Sequence, residues 1–380
     1  DDADRHRHLD RPGFSMVATT LHLNWYNPVE IQLAPGLLCS RQPHQPFVVL
    51  ADPAAIPIHL ENTLRQQWAD LCLDWIWQQD SLSSMATAEA LANTVWPALE
   101  QMPHAALWAI GGGTTLDLGK VLRWRLPDQE RSSCQSHWRN NLVPEGTLRH
   151  PLWCSPTTSG TGSEVTPWAT LWDLQHQPSC KRSWHPENGH PEKAWIDPTL
   201  TLTCPPGVTR DTGLDALSHA LESLWNRHAN RLSRPIAIEA ARCILETLPA
   251  LLREPDNIYL RTQMAKASLM AGLAMSQTRT ALAHALSYDL TLQEQLPHGQ
   301  ACAIWLPMTM SLAAERSAQV RHDLGAIFQQ PLPEGLNTLR KWLIQLGIEP
   351  RDLRDSETGL TQLEQALKSE RGNNFIEELA

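Results

Sequence analysis

Residues 211–225 read DTGLDALSHALESLW, and residues 281–299 read ALAHALSYDLTLQEQLPHG. Asp215 and His219 are four positions apart, so on a helix both side chains leave one face, a turn apart. Such a pair is commonly no more than an exposed polar contact or a satisfied core histidine. Here Leu214, Ala216, Leu217, Ala220 and Leu221 make most of the helix apolar. The carboxylate therefore sits beside buried positions, where an unpartnered charge costs several kcal/mol. A metal is one partner that removes this cost. His284 and His298, the latter in Leu-Pro-His-Gly, complete a set of one carboxylate and three imidazoles. That set makes a tetrahedral shell, or an octahedral one with open positions, for a divalent transition metal. The candidate metal ligands are Asp215, His219, His284 and His298.

Outward from this stretch the pattern is almost wholly helical, over 211–226, 233–252, 258–276, 279–290, 300–316, 318–329, 334–346 and 359–369. Upstream of Pro205-Pro206 it alternates between short apolar runs and helical segments. Phe47–Ala51 reads as a buried strand ended by Asp52-Pro53, and residues 59–78 and 86–101 read as helices. Residues 105–110 form a second strand that runs into GGGTTLDLGK, Gly111–Lys120. Three glycines between a strand and a helix let backbone N–H groups approach an anion, and Thr114 and Asp117 have capping-box spacing. Asp52, at a strand end, can accept hydrogen bonds from a ribose, although Asp-Pro serves equally well as a plain turn. Residues 155–166 form a second loop of small residues, and 194–198 read as the last strand. The expected fold class is an α/β N-terminal dinucleotide-binding domain over 21–205 and an all-α C-terminal domain over 206–380, with ligands in the cleft between them. Residues 1–15 are polar and lack the apolar run of a signal peptide, and 1–20 read as a disordered leader.

The chain has 380 residues, enough for a large core, with ordinary globular composition. A formal charge of −10 offers no basic face for nucleic acid. No apolar run approaches the roughly 18 residues of a membrane span. The eight cysteines are scattered without a CxxC pair and read as reduced thiols of a cytoplasmic protein. Sixteen tryptophans against four phenylalanines have no explanation at this level.

Taken together, Gly111–Lys120, PTTSGTGSE over 156–164, GLDALSHALE over 213–222, His284 and Pro297-His-Gly299 are similar to the iron-dependent (group III) alcohol dehydrogenase family. The resemblance spans roughly residues 25–375 and implies the dehydroquinate synthase-like fold of that family. It implies a nicotinamide-dependent oxidoreductase with one divalent metal, Fe(II) or Zn(II), held by Asp215, His219, His284 and His298. Carried over by position, Gly112, Gly113 and Thr114 bind the pyrophosphate. Asp117, Thr157, Thr158 and Lys181 line the nicotinamide side, and Asp52 favours NAD over NADP. A homodimer or larger assembly is also implied. Two departures stand out. Tyr288 occupies the place of a second histidine often assigned to proton relay, and the Asn-Pro pair usual before the glycine-rich strand is missing near 80–85.

Arg279 stands where ordinary members carry small apolar residues. Its guanidinium fork suits either an anionic substrate or a structural salt bridge. The segment around it resembles the phosphonate-associated subgroup, which implies reduction of phosphonoacetaldehyde to 2-hydroxyethylphosphonate. The competing expectations are a general short-chain alcohol dehydrogenase, a maleylacetate reductase-like enzyme, a lyase of the dehydroquinate synthase type, and a non-catalytic binding protein.

Overall fold

The computed structural model describes residues 25–177 and 179–377, so the leader expected over 1–20 lies outside the described residues. The first half runs β1 (Glu30–Leu33), α1 (Leu37–Ser40), β2 (Phe47–Ala51), α2 (Ile58–Gln67), β3 (Cys72–Trp77), α3 (Met85–Glu100), β4 (Ala106–Gly111) and α4 (Gly113–Leu122). It continues through β5 (Trp124–Arg125), α5 (Cys134–Arg139), β6 (Leu148–Arg149), β7 (Leu152–Pro156), β8 (Ala169–Asp173), β9 (Cys180–Trp184) and β10 (Lys193–Ile196). Six strands form one parallel sheet in the order β1-β10-β7-β4-β2-β3. The chain runs from β2 outward to β3 and then returns past β2 to β4. The direction of winding therefore reverses between β2 and β4, the place where ligand crevices open at the carboxyl ends of such sheets. Asp52 and Gly111–Gly113 lie at those two ends.

Six of the sixteen tryptophans, Trp68, Trp75, Trp77, Trp108, Trp153 and Trp195, pack together against one face of this sheet. Trp68, Trp108, Trp153 and Trp195 cluster around Phe47, and the Trp68 and Trp108 ring centroids are 4.3 Å apart. Each buried indole covers on the order of 200 Å², worth roughly 5 kcal/mol before the entropic cost of ordering it.

Beyond β10 come α6 (Pro206–Leu224), α7 (Ser233–Arg253), α8 (Ile258–Thr278), α9 (Leu282–Gln293), α10 (His298–Ala303), α11 (Leu306–Arg316), α12 (Ala318–Phe328), α13 (Leu332–Gln345) and α14 (Glu357–Lys368). Leucine, alanine and methionine from these helices build a separate core.

Three expectations are corrected. The helix over 59–78 stops at Gln67, and 72–77 form β3 beside β2. Leu60, Leu64 and Trp68 carry a true helical spacing that Leu71, Trp75 and Ile76 extend by coincidence, and no Gly or Pro marks the break. The helix over 300–316 is two helices, because Pro307 has no N–H and its ring would clash with the carbonyl four residues back. The capping box at Thr114 and Asp117 does not form. Gly112 is the N-cap of α4, with no side-chain cap, and Asp117 turns to Ser163 and Thr170 instead. The hairpin of β8 and β9, and strands β1 and β7, gave no readable sequence pattern.

Candidate functional site

From Gly213 to Leu224 every residue of α6 is buried, so Asp215 and His219 leave the helix inside the protein. Pro297 starts α10 at His298. Gly299 then lets that helix reach α6, since a Cβ there would stand 1.8 Å from the Asp211 carbonyl oxygen. His284 lies in the first turn of α9. Around Asp215 Oδ1 gather His219 Nε2 at 3.5 Å, His284 Nε2 at 3.6 Å and His298 Nε2 at 3.9 Å. His219 and His284 stack with ring centroids 4.9 Å apart.

Donors about 2.1 Å from a common ion lie about 3.4 Å apart at tetrahedral angles. The three spacings to Asp215 Oδ1 are close to that value. Asp215 Oδ1 and His284 Nε2 are also buried without any hydrogen-bond partner, which in a folded core is costly unless an ion takes their lone pairs. The four residues expected as ligands are thus together. Cys302, one turn after His298, joins them. Asp215, His284, His298 and Cys302 offer donor atoms all within 4.8 Å of one another, and His219 is tied to the group through Asp215.

Glu222 fixes the geometry. It is fully buried, and its Oε2 accepts from His284 Nδ1 at 2.6 Å and from the Ala281 N–H at 2.8 Å. Its Oε1 accepts from the Ala283 N–H at 2.5 Å. With Nδ1 donating to the carboxylate, Nε2 of His284 is left as a lone-pair donor toward Asp215. Burial opposes ionisation of Glu222, but His284 and these donors hold its carboxyl below the usual range. Asp215 is likewise held ionised by the imidazoles against the cost of burial.

Tyr288 lies a turn beyond His284, half-buried, and burial raises its phenol pKa. The Lys181 ammonium sits 5.4 Å from the Tyr288 ring centroid and the Arg371 guanidinium carbon 5.3 Å from it. Burial and the neighbouring Arg371 bring Lys181 down to about 8, while Asp215 and Asp117 pull the other way. Burial and Lys181 hold His298 well toward its neutral form, with Arg371 adding to the effect. Arg279 is placed differently. It is exposed at the end of α8 with φ 68° and ψ 176°, its carbonyl accepts from Asn226, and its charge acts on His228.

At the sheet end, Gly112 and Gly113 open α4, whose first N–H groups have no partner in the helix. A Cβ on Gly113 would meet the Thr161 methyl at 2.6 Å, and one on Gly112 would touch Thr158 at 3.5 Å, so the glycines leave room between α4 and the 156–162 loop. Thr157 donates its N–H to the Gly111 carbonyl, and Thr114 Oγ1 bonds Ser81. Asp117 is bonded by Ser163 Oγ at 2.6 Å and the Thr170 N–H, and so ties that loop to α4. Asp52 Oδ1 accepts from the Ala54 N–H at 2.9 Å, the geometry of the Asp-Pro turn.

Sequence reading passed over three residues. Glu222 had a signal, an acid two turns after Asp215 among apolar helix residues, and so did Cys302, spaced one turn from His298. Arg371 had none, because it reaches the site from the chain's far end.

The family model described as Iron-containing alcohol dehydrogenase matches residues 44–198, and that for the C-terminal part of the Fe-containing alcohol dehydrogenase family matches 209–366. The 1-propanol dehydrogenase PduQ of Citrobacter freundii is 33% identical over 232 residues, covering 60% of this chain and 57% of that protein. The probable alcohol dehydrogenase EutG of Salmonella typhimurium is 33% identical over 265 residues, covering 64% and 65%. The chain thus spans only 57% and 65% of the length of these relatives. The crystal structure of sulfoacetaldehyde reductase from Bifidobacterium kashiwanohense in complex with NAD+ shares the fold, with TM-score 0.79 and 22% identity over 95% of this chain and 96% of that one. Two adjoining family models that meet near the start of α6, together with the Asp215 and histidine cage, lead to one conclusion: the chain belongs to the iron-containing alcohol dehydrogenase family.

Proposed function

We propose that this chain is a metal- and nicotinamide-dependent oxidoreductase that interconverts an aldehyde and its primary alcohol, and that its aldehyde carries an anionic head group. The observation that carries the reading is the pair of orphaned buried donors, Asp215 Oδ1 and His284 Nε2, near Lys181 and Arg371, which among the described residues have no carboxylate within salt-bridge distance. When bound, a divalent metal such as Fe(II) or Zn(II) supplies Lewis acidity to the substrate oxygen, and the nicotinamide supplies hydride. Asp215, His219, His284 and His298 hold the metal, with Glu222 orienting His284. Gly112, Gly113 and Thr114 bind pyrophosphate, Asp117, Thr157, Thr158 and Lys181 line the nicotinamide side, and Asp52 favours NAD. Tyr288 keeps its phenol proton at neutral pH and can give it to the substrate oxygen as negative charge develops there.

The substrate we favour is phosphonoacetaldehyde, reduced to 2-hydroxyethylphosphonate. We further propose that the enzyme works in the cytoplasm, where its eight unpaired thiols stay reduced, and as a dimer or larger. The test is NADH oxidation by Fe(II)-loaded protein with phosphonoacetaldehyde beside propionaldehyde. Preference for the phosphonate supports the reading. Equal or reversed rates leave a short-chain alcohol dehydrogenase, as the likeness to PduQ favours, and no oxidation of NADH with either removes the enzyme reading.

A further inference from the structure

We infer that Asp211 and Gln300 form a latch that holds α10 against α6 and so keeps His298 at the metal, which makes them positioning residues of the cage. The inference rests on the reading of Asp215, His219, His284 and His298 as metal ligands, and it assigns retention of the ion to two further side chains. His298 is the ligand that needs such help. Asp215 and His219 leave a wholly buried stretch of α6, and the His284 ring is fixed by Glu222 through Nδ1. The His298 side chain is 34% exposed, against 1% for His284 and 6% for His219. Among the described residues its ring nitrogens meet no carbonyl, and no carboxylate nearer than Asp215 Oδ1 at 3.9 Å. Their one hydrogen-bonding neighbour is the Cys302 thiol, a weak partner 3.9 Å from both. A ligating imidazole is ordinarily oriented by a strong acceptor on its second nitrogen. Without one, the placing of this ring falls to the backbone that carries it.

That backbone has little support of its own. The helix α10 is 6 residues long and follows the 294–297 linker, in which Gln295 takes φ 54°, a costly conformation for a residue with a Cβ. Two contacts seat it on α6. The missing Cβ of Gly299 lets the chain lie against α6 between Asp211 and Asp215. Beside it, the Gln300 side-chain amide donates to Asp211 Oδ1 at 2.9 Å, and Arg210 Nε, also 2.9 Å from that oxygen, steadies the carboxylate. Asp211 stands one turn before Asp215, and Gln300 two residues after His298. One charge-assisted bond therefore ties together the two segments that carry these ligands. Breaking it frees α10 to carry His298 off the ion, while Asp215, His219 and His284 stay where other contacts hold them.

The test follows the metal without turnover. Wild type, Asp211→Ala, Gln300→Ala, the double variant and Asp211→Asn are loaded with zinc, and its release into an excess of chromophoric chelator is timed. Cobalt-loaded samples give visible spectra, and metal-stripped samples give Tm. Release should be about tenfold faster in each single Ala variant, and no faster in the double variant, because both changes remove the same bond. Asp211→Asn keeps the acceptor oxygen and should stay within about threefold of wild type. The cobalt spectrum should change in the Ala variants as one imidazole gives way to water, while the Tm of stripped protein stays within about 4 °C of wild type. Unchanged release and spectrum in the Ala variants overturn the latch. So does a lower Tm with the release rate untouched, the mark of a merely structural tie, and additive effects in the double variant overturn the pairing of the two residues. A wild type that takes up neither zinc nor cobalt overturns the metal reading itself. Asp211 and Gln300 lie on different helices, so misfolding of one single variant leaves the other decisive.

Discussion

Replacing Glu222 with Gln preserves volume and shape but turns one acceptor oxygen into a donor. Oε2 of Glu222 serves the Ala281 N–H and His284 Nδ1, and Oε1 serves the N–H groups of Ala283 and His284. Whichever way the amide is turned, its NH2 faces two donors, so two of the four bonds go. Bonds to a charged group are worth about 1.5–3 kcal/mol each, giving a gross loss of about 3–6 kcal/mol, partly offset because one charge no longer has to be buried. A net loss of about 3 kcal/mol lowers Tm by roughly 6–12 °C for a unit of this size. Where the amide NH2 faces His284 Nδ1, the ring also loses the acceptor that fixes its tautomer, which costs about 10–100-fold in metal affinity. The assay is competition between metal-stripped protein and a fluorescent zinc chelator, paired with thermal melts of the stripped protein. A variant within about threefold of wild-type affinity and with unchanged Tm would refute the role given to Glu222.

Gly113→Ala places a methyl 2.6 Å from the Thr161 methyl, so calorimetric NAD affinity should fall at least about tenfold while the metal content holds. Cys302→Ser tests whether the thiol beside the cage is a ligand. With the metal held by Asp215 and the three histidines, cobalt-loaded wild type and variant should alike lack a thiolate-to-cobalt charge-transfer band in the near ultraviolet, and a band present in wild type alone would make Cys302 a ligand. Lys181 titrates at about 8 in the folded protein, against about 10.4 in an unfolded chain. The groups that act on it are Arg371, Asp215, Asp117 and Cys302, with Tyr288 and His298 adjacent. Its ammonium is lost as pH rises through about 8, so the KM for NADH should climb above that pH and Lys181→Gln should flatten the climb. The unfolded chain keeps its proton up to about 10.4, so stability from this group should increase, not decrease, over the same interval.

Local chemistry made much of this legible. A helix whose apolar residues surround Asp215 and His219 must bury them, and the glycines at 111–113 after an apolar strand announce a tight approach to a ligand. These readings needed only periodicity and the cost of a buried charge. The break between α2 and β3 was hidden because tryptophan and leucine suit a helix face and a sheet interior equally, and pairing with β2 decided between them. The sixteen tryptophans gained a reason only when the sheet gathered several of them around Phe47.

By itself the sequence determined the Asp215 and His219 pair, the glycine turn and the order of α/β and helical halves, because spacing within one element or the run of elements along the chain settles each. The tertiary structure alone decided which cations face the site. Arg279, five residues before a ligand, ends on a turn at the surface, while Arg371 comes back to Tyr288 through a tail held by the bonds of Asn374 and Ile376. Proximity in the chain says little about where a long side chain ends once the backbone turns, and the packing of distant segments sets it instead.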